Sequence, residues 1–468
     1  MPYIVIEDFR AGLDRRKLPA ASPPGSLQVL SNAHINRGGE IEKRRAMVPT
    51  YALPPGQTYG LAGANGVLYT FGSDLSPPVP SGVTYQRLQH PGGHAMNGLV
   101  WAEFYDGKVA AAARFTNGDV LLFYDGARVT DWDGGGVSPF AGQKPVALLT
   151  LKDKLYSAFL SILGFSAIAA PTSYSGTGAG FINMSNQSAG SEALTGLGRY
   201  QNFIAVFARR NTQIWALDSD PLNNAQRQVL SNIGTFAGRS IVSFGDVDVF
   251  FLSDTGIRSL RARDSSNQAG VSDVGTPIDD EVLAYLKTLT DAQKEAAVAV
   301  IDPIDGRYIC AIGDRAYAFS YFSSAKISAW SSYSFGFTVS DFVSMDGRIW
   351  ARGGDTVYLL GGASDGVYDA AEVIIETPYI DGRAIASFKS FTGFDLVSAG
   401  EWDVFINTDP DQPDEWSQIA TVSNTSVARL GDGMVGYGPI VKLKLTTSDA
   451  SLAKLSKLII HYDAADQG

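Results

Sequence analysis

The stretch "FTNGDVLLFYDGARVTDW", Phe115–Trp132, reads as strand, tight turn, strand, tight turn, strand. Asn117-Gly118-Asp119 and Asp125-Gly126 interrupt apolar runs of strand length, and hairpin turns that need positive φ favour Asn-Gly and Asp-Gly. Leu121, Leu122, Phe123 and Tyr124 suit a pleated, half-buried surface.

The same phrase returns along the chain. It appears as "NGVLYTFG" (Asn65–Gly72), "KDKLYSAFL" (Lys152–Leu160), "NFIAVFARRNTQIWAL" (Asn202–Leu217) and "DVDVFFLSDTGIRSLRA" (Asp246–Ala262). Later copies are "DGRYICAIGDRAYAFSY" (Asp305–Tyr321) and "DGRIWARGGDTVYLLGG" (Asp346–Gly362). Copies recur at roughly 40 to 50 residues, the spacing of propeller blades, without a WD or kelch signature. The expected fold is all-β: a propeller body of six or seven blades over residues 1–363, and a second domain over 364–468. In that second region "AEVIIETPYI", "WDVFINT", "VKLKLTT" and "KLSKLIIHY" alternate over longer strands without the blade rhythm, which predicts a β-sandwich.

Two interruptions stand out. Residues 171–197 are rich in Gly, Ser, Thr and Asn and read as a long surface excursion. Residues 277–297 read as a helical insertion: Pro277 fits a first turn, Ile278, Val282, Leu283 and Leu286 follow at helical spacing, and Thr290 with Gln293 forms a capping box.

Composition narrows the function classes. In 468 residues the hydrophobic share is 45%, enough for substantial cores, and it excludes a disordered chain. The charge of −11, from 37 Lys and Arg against 48 Asp and Glu, lacks the basic footprint of a protein that grips nucleic acid. A pore that lets DNA slide gains by not holding it. The single cysteine, Cys310, excludes an intramolecular disulfide framework and fits assembly in a reducing cytoplasm. "MPYIVIEDFR" shows no basic and apolar signal pattern, so nothing there is expected to direct export.

Motifs for chemistry are weak. Gly362-Ala363-Ser364-Asp365-Gly366 matches GxSxG, but "VYDAAEVII" follows it and only His461 lies downstream, so it reads as a glycine-rich turn. His90 and His94 flank Pro-Gly-Gly, which does not place two ligands on one helical face. "GTGAG", Gly176–Gly180, lacks the following helix and lysine of a phosphate cradle. No catalytic, cofactor or metal residues are assigned, and the chain is not expected to be an enzyme.

Three segments remain as candidate surfaces. The acidic loop holds Asp409, Asp411, Asp414 and Glu415 inside a stretch, Glu401–Ala420, with six acids and no base, and reads as a solvated loop, a channel or partner surface, or a calcium loop, from whose pattern its two prolines depart. "LYSAFLSILGFSAIAA", Leu155–Ala170, falls short of the ~18 to 20 apolar residues of a spanning helix. It reads as two buried strands bending near Gly164, or as a gate built from Leu155, Phe159, Leu160, Ile162, Leu163 and Phe165. Lys43, Arg44 and Arg45, in an N-terminal fifty residues with eight bases and five acids, read as an inter-subunit basic patch or a solvated strand edge.

The order of phrases adds a resemblance. "DFRAGLDRRKLPAASPPGSLQVLSNAHINRGGEIEKRRAM" is followed by "SDTGIRSLRARD", "GTPIDDEV", "AWSSYSF", "DGRIWARGGDTVYLL" and "IIETPYIDG". This succession resembles the tail nozzle proteins of short-tailed bacteriophages, the tail tubular protein B family. The resemblance implies a virion structural protein of the tail, assembled in the host cytoplasm as a homo-hexameric ring. It further implies a place below an adaptor (head-to-tail connector) ring, attachment of tail fibres or spikes, and DNA passing through the lumen without sequence-specific binding or membrane insertion. The competing expectation is a virion propeller that binds or cleaves host surface polysaccharide.

Overall fold

The computed structural model describes residues 2–133, 139–186, 192–245, 248–262, 269–384, 387–423, 428–430 and 435–464. Its turns follow from residue chemistry. Asn65-Gly66, Asp106-Gly107 and Asp346-Gly347 all take positive φ at both positions, and each joins the antiparallel first and second strands of a small sheet. Lys152-Asp153 adopts the same geometry without glycine, at φ of 48° and 54°.

Seven such sheets form a β-propeller among the described residues: five of four strands, one of three, and the first four strands of a nine-stranded sheet. The first blade is Tyr59–Ala64, Val67–Gly72 and Val83–Arg87, its last strand parallel to the second. The second runs from Met96–Tyr105 to Ala127–Arg128, the third from Ala147–Leu151 to Gly180–Asn183, and the fourth from Leu194–Tyr200 to Ala225–Ser231. The fifth runs from Val242–Phe244 to Ala269–Ser272 and the sixth from Val298–Asp302 to Ile327–Ser334. The seventh comprises Asp341–Met345, Arg348–Gly353 and Thr356–Leu360, and Met47–Ala52 from the N-terminal region supplies its fourth strand. The first strands of successive blades lie side by side, and Asp341–Met345 returns to Tyr59–Ala64 to close the circle.

Residues 2–46 depart from the expected division of the chain. Tyr3–Ile6 and Ile41–Lys43 pair with Lys454–Ala464, while Val29–Ser31 pairs with Val373–Glu376. The second domain therefore draws strands from both ends of the sequence. These N-terminal strands are only three or four residues long, too short to show a period. Its two sheets enclose Trp402, Val404, Leu396, Leu443, Leu458 and Ile460, all buried.

The excursion at 171–197 is also corrected in part. Gly180–Asn183 is the outer strand of the third blade, and Leu194–Tyr200 opens the fourth; residues 187–191 lie outside the described set. An edge strand is held by backbone pairing, so its polar sequence carries no apolar alternation. The opening phrase likewise ends differently: after Ala127–Arg128 the chain turns into a short helix, Thr130–Asp133, that seats Trp132 against Phe140, Phe159 and Tyr174. The helical insertion is present as Asp279–Leu286 and Asp291–Glu295, with the Thr290–Gln293 capping box formed.

Candidate functional site

Two places concentrate polar groups inside the fold. The first is the propeller's centre, where a cavity of about 270 Å³ opens between the first, second and seventh blades. Leu99, Trp101, Phe104 and Phe342 give it apolar walls, and Glu103, Arg239 and Asp341 are its charged groups. Glu103 sits on the innermost strand of the second blade. Its Oε1 accepts the Thr150 amide at 3.0 Å, Arg199 Nη2 donates to the Thr150 carbonyl at 2.8 Å, and Ser243 Oγ donates to the Arg199 carbonyl at 2.7 Å. Four consecutive blades are thus tied around the channel. Burial pushes the Glu103 carboxyl up to about 7, although the Thr150 amide and Arg199 pull the other way. Across the cavity, buried Asp341 takes Arg239 on one oxygen and faces Arg352 at 3.8 Å on the other.

The second place is the junction between propeller and sandwich. Ser31 pairs in parallel with Ser332 of the sixth blade, which makes that blade and one sandwich sheet a single nine-stranded sheet. Trp330 Nε1 donates to the Val274 carbonyl at 2.6 Å, and the Trp330 carbonyl accepts from Leu13 at 2.9 Å. Gly12 is needed beside it: its φ is +60°, and a Cβ there would lie 2.7 Å from that of Ala329. Arg258 donates to both oxygens of Asp279 at 2.8 and 2.9 Å, and Arg15 reaches Glu281 at 3.3 Å. Deeper in, Tyr333 Oη lies 3.1 Å from His34 Nδ1, both buried.

The candidate surfaces fare differently. Lys43 and Arg44 are buried: Lys43 Nζ donates to the Asp449 carbonyl at 2.6 Å, and Arg44 holds Asn32, Asp369 and the Ser334 carbonyl. Arg45 pairs with Asp365 at 2.8 Å and faces Asp305 at 3.6 Å. An inter-subunit patch is therefore replaced by internal partners; the triplet pins the N-terminal region to the seventh blade and the sandwich. Asp409, Asp411, Asp414 and Glu415 remain exposed, in a loop wound by Asn407, whose Nδ2 donates to the Gln412 and Glu415 carbonyls at 2.7 Å.

The apolar segment divides too. It forms the two middle strands of the third blade, Lys154–Phe159 and Ile162–Phe165, and turns at Leu160-Ser161 rather than near Gly164. Leu155, Phe159, Leu163 and Phe165 are blade core, Ile162 is half-buried, and Leu160 is 60% exposed. Four of the six side chains are packed inside the blade, which is the core reading, and Leu160 alone is left at the surface. A paired test separates them: Leu163→Ala should cost about 3 kcal/mol in urea unfolding, whereas Leu160→Ser should stay within about 0.5 kcal/mol. Equal losses would show that burial is not what fixes this segment.

Glu103 is the residue that the sequence did not single out. One acid in "LVWAEFYDG" looks like the polar face of an ordinary strand, and its only signal is its place on a first strand just ahead of the Asp106-Gly107 turn. Among the described residues no group of three His, Cys, Asp or Glu side chains converges as a metal site.

No family model matches the chain, and a search of curated proteins finds no match. Solved structures do align. BamB from Moraxella catarrhalis matches with a TM-score of 0.39 at 8% identity, over 70% of this chain and 90% of that one. The Pan2 WD40 domain from Neurospora crassa matches with a TM-score of 0.39 at 11% identity, over 66% and 88%. PorZ, a surface component of the type-IX secretion system of Porphyromonas gingivalis, gives 0.41 at 12% identity, over 89% of this chain and 60% of that one. At these scores the propeller assignment rests on the strand pairing itself.

Proposed function

We propose that this chain is a virion structural protein, a tail nozzle subunit that closes into a homo-hexameric ring below an adaptor ring. In this reading it conducts DNA and carries fibres or spikes. The observation that carries it is the convergence of the phrases on which the resemblance rests. "DFRAGLD" touches "AWSSYSF" through Leu13 and Trp330, "SDTGIR" touches "GTPIDDEV" through Arg258 and Asp279, and "LQVLS" pairs with "IIETP" from Val29–Glu376 to Ser31–Ile374. Phrases far apart in sequence meet at one rigid joint between propeller and sandwich. A subunit that must keep its shape under the load of a packaged genome needs such a joint.

The charge of −11, repeated around a ring, favours a lumen that repels phosphate. The propeller's own cavity, at about 270 Å³, is far too small for a duplex, so the DNA path here is the ring axis between copies. A head-to-tail interface either closes or propagates as a fibre, and a conduit must close.

Electron microscopy of the purified protein, alone and with adaptor rings, should show sixfold rings, with native mass spectra at six times the 49.9 kDa chain mass. Those rings should retain no duplex DNA at low salt. A chain that stays monomeric with adaptor present would sink the nozzle reading, and tight, salt-sensitive DNA retention would sink the charge argument.

A further inference from the structure

We propose that the central cavity of the propeller is a binding site for a small amphipathic carboxylate. Its negative end would rest between Arg239 and Glu103, and its apolar body against Trp101, Phe104 and Phe342. This inference is independent of the tail reading.

The cavity is built for polarity at depth. Glu103 is a carboxyl sunk into the channel wall, and among the described residues its one donor is Thr150. Arg239 lines the same cavity with its side chain 32% exposed and spends one nitrogen on Asp341, leaving its other N–H groups without an acceptor among the described residues. Unmatched guanidinium donors beside an aromatic wall are what a carboxylate with an apolar body satisfies.

Charge decides the sign of the ligand. Arg239 comes from the approach to the fifth blade, Arg199 from the fourth and Arg352 from the seventh, against Asp341 of the seventh. The third blade contributes Thr150 and the first Leu61, neither charged. With Glu103 protonated, these three guanidinium groups stand against two carboxylates, Asp341 and Asp355, the latter 3.9 Å from Arg352, and the surplus is positive. Glu103 in that state donates a hydrogen bond to an anion; ionised, it repels one.

Burial places that titration at about 7, so an anion should bind more tightly at low pH and take up a proton as it binds. The protonated fraction of such a group falls about tenfold between pH 6 and pH 8. Isothermal titration calorimetry of the full chain with benzoate tests this. Wild type should bind saturably at pH 6 and lose up to about tenfold in affinity by pH 8. Glu103→Gln, a neutral isostere, should bind equally at both pH values and exceed wild type at pH 8, a gain that misfolding cannot imitate. Arg239→Gln should lose at least about tenfold at pH 6. No saturable binding by wild type at pH 6 would overturn the proposal. So would equal wild-type affinity at the two pH values, or a Glu103→Gln protein no tighter than wild type at pH 8.

Discussion

Trp330→Ala is expected to remove about 3–5 kcal/mol of stability and to disconnect the propeller from the sandwich. The indole is fully buried in the core that the two domains share, with its ring 4.8 Å from that of Phe319. Truncation forfeits that packing and also strands the Val274 carbonyl, which loses the Nε1 donor at 2.6 Å. The backbone bond from Leu13 survives, so the N-terminal segment keeps its register while losing the side chain it packs on. Wild type should unfold in urea as one transition, because a sheet running from the sixth blade into the sandwich makes neither domain independent. The variant should unfold at lower urea and split into two transitions, visible as non-coincident fluorescence and circular dichroism curves. A single transition shifted by less than about 1 kcal/mol would show that the joint is held elsewhere.

The propeller was legible because its turns are written in residues with positive φ. Asn65-Gly66, Asp125-Gly126 and Asp346-Gly347 mark hairpins in the first, second and seventh blades, and the recurrence of the strand-turn-strand phrase at roughly 40 to 50 residues spaces the rest. What could not be read was partnership over distance. Val29–Ser31 has three residues and no period, and its identity as a strand comes from neighbours at 332 and 374–376. The triplet Lys43, Arg44 and Arg45 misled for a related reason. Three cations in a row look like a surface, yet each finds an acceptor more than two hundred residues away, at Asp449, Asp369 and Asp365. The polar stretch holding Gly180–Asn183 hid a strand because an edge needs only its backbone. Glu103 was hidden because its depth depends on all the blades closing around it.

His34 gives the junction an acid limit. It lies on the short strand Ala33–Ile35, opposite Glu42, with its ring buried beside Tyr333. Arg307 only donates, so Tyr333 Oη accepts from it at 3.5 Å and turns its own proton to His34 Nδ1, which leaves the hydrogen of a neutral imidazole on Nε2. Burial drives the His34 pKa well below its ordinary value of 6.5, and Arg307, Arg45 and Lys454 reinforce the shift. The unfolded chain therefore takes up a proton at pH 6.5 that the folded chain refuses. Stability is retained above that pH and falls below it, by up to about 1.4 kcal/mol per pH unit, until the folded-state pKa is reached. Between pH 6.5 and pH 4.5 the loss carried by His34 has an upper bound of about 2–3 kcal/mol, reached if the folded imidazole stays neutral throughout. Urea midpoints for wild type and His34→Gln across that range isolate it, because carboxylates that also lose stability in acid contribute equally to both proteins. His34→Gln should start less stable at neutral pH and show the flatter curve. Tyr333→Phe, which removes the hydroxyl but leaves the buried ring, should keep the wild-type slope. Parallel curves for wild type and His34→Gln would mean that His34 is protonated in the folded protein. In that case the cations around it would have to be balanced by Glu42 and Asp302 rather than tolerated by a neutral ring.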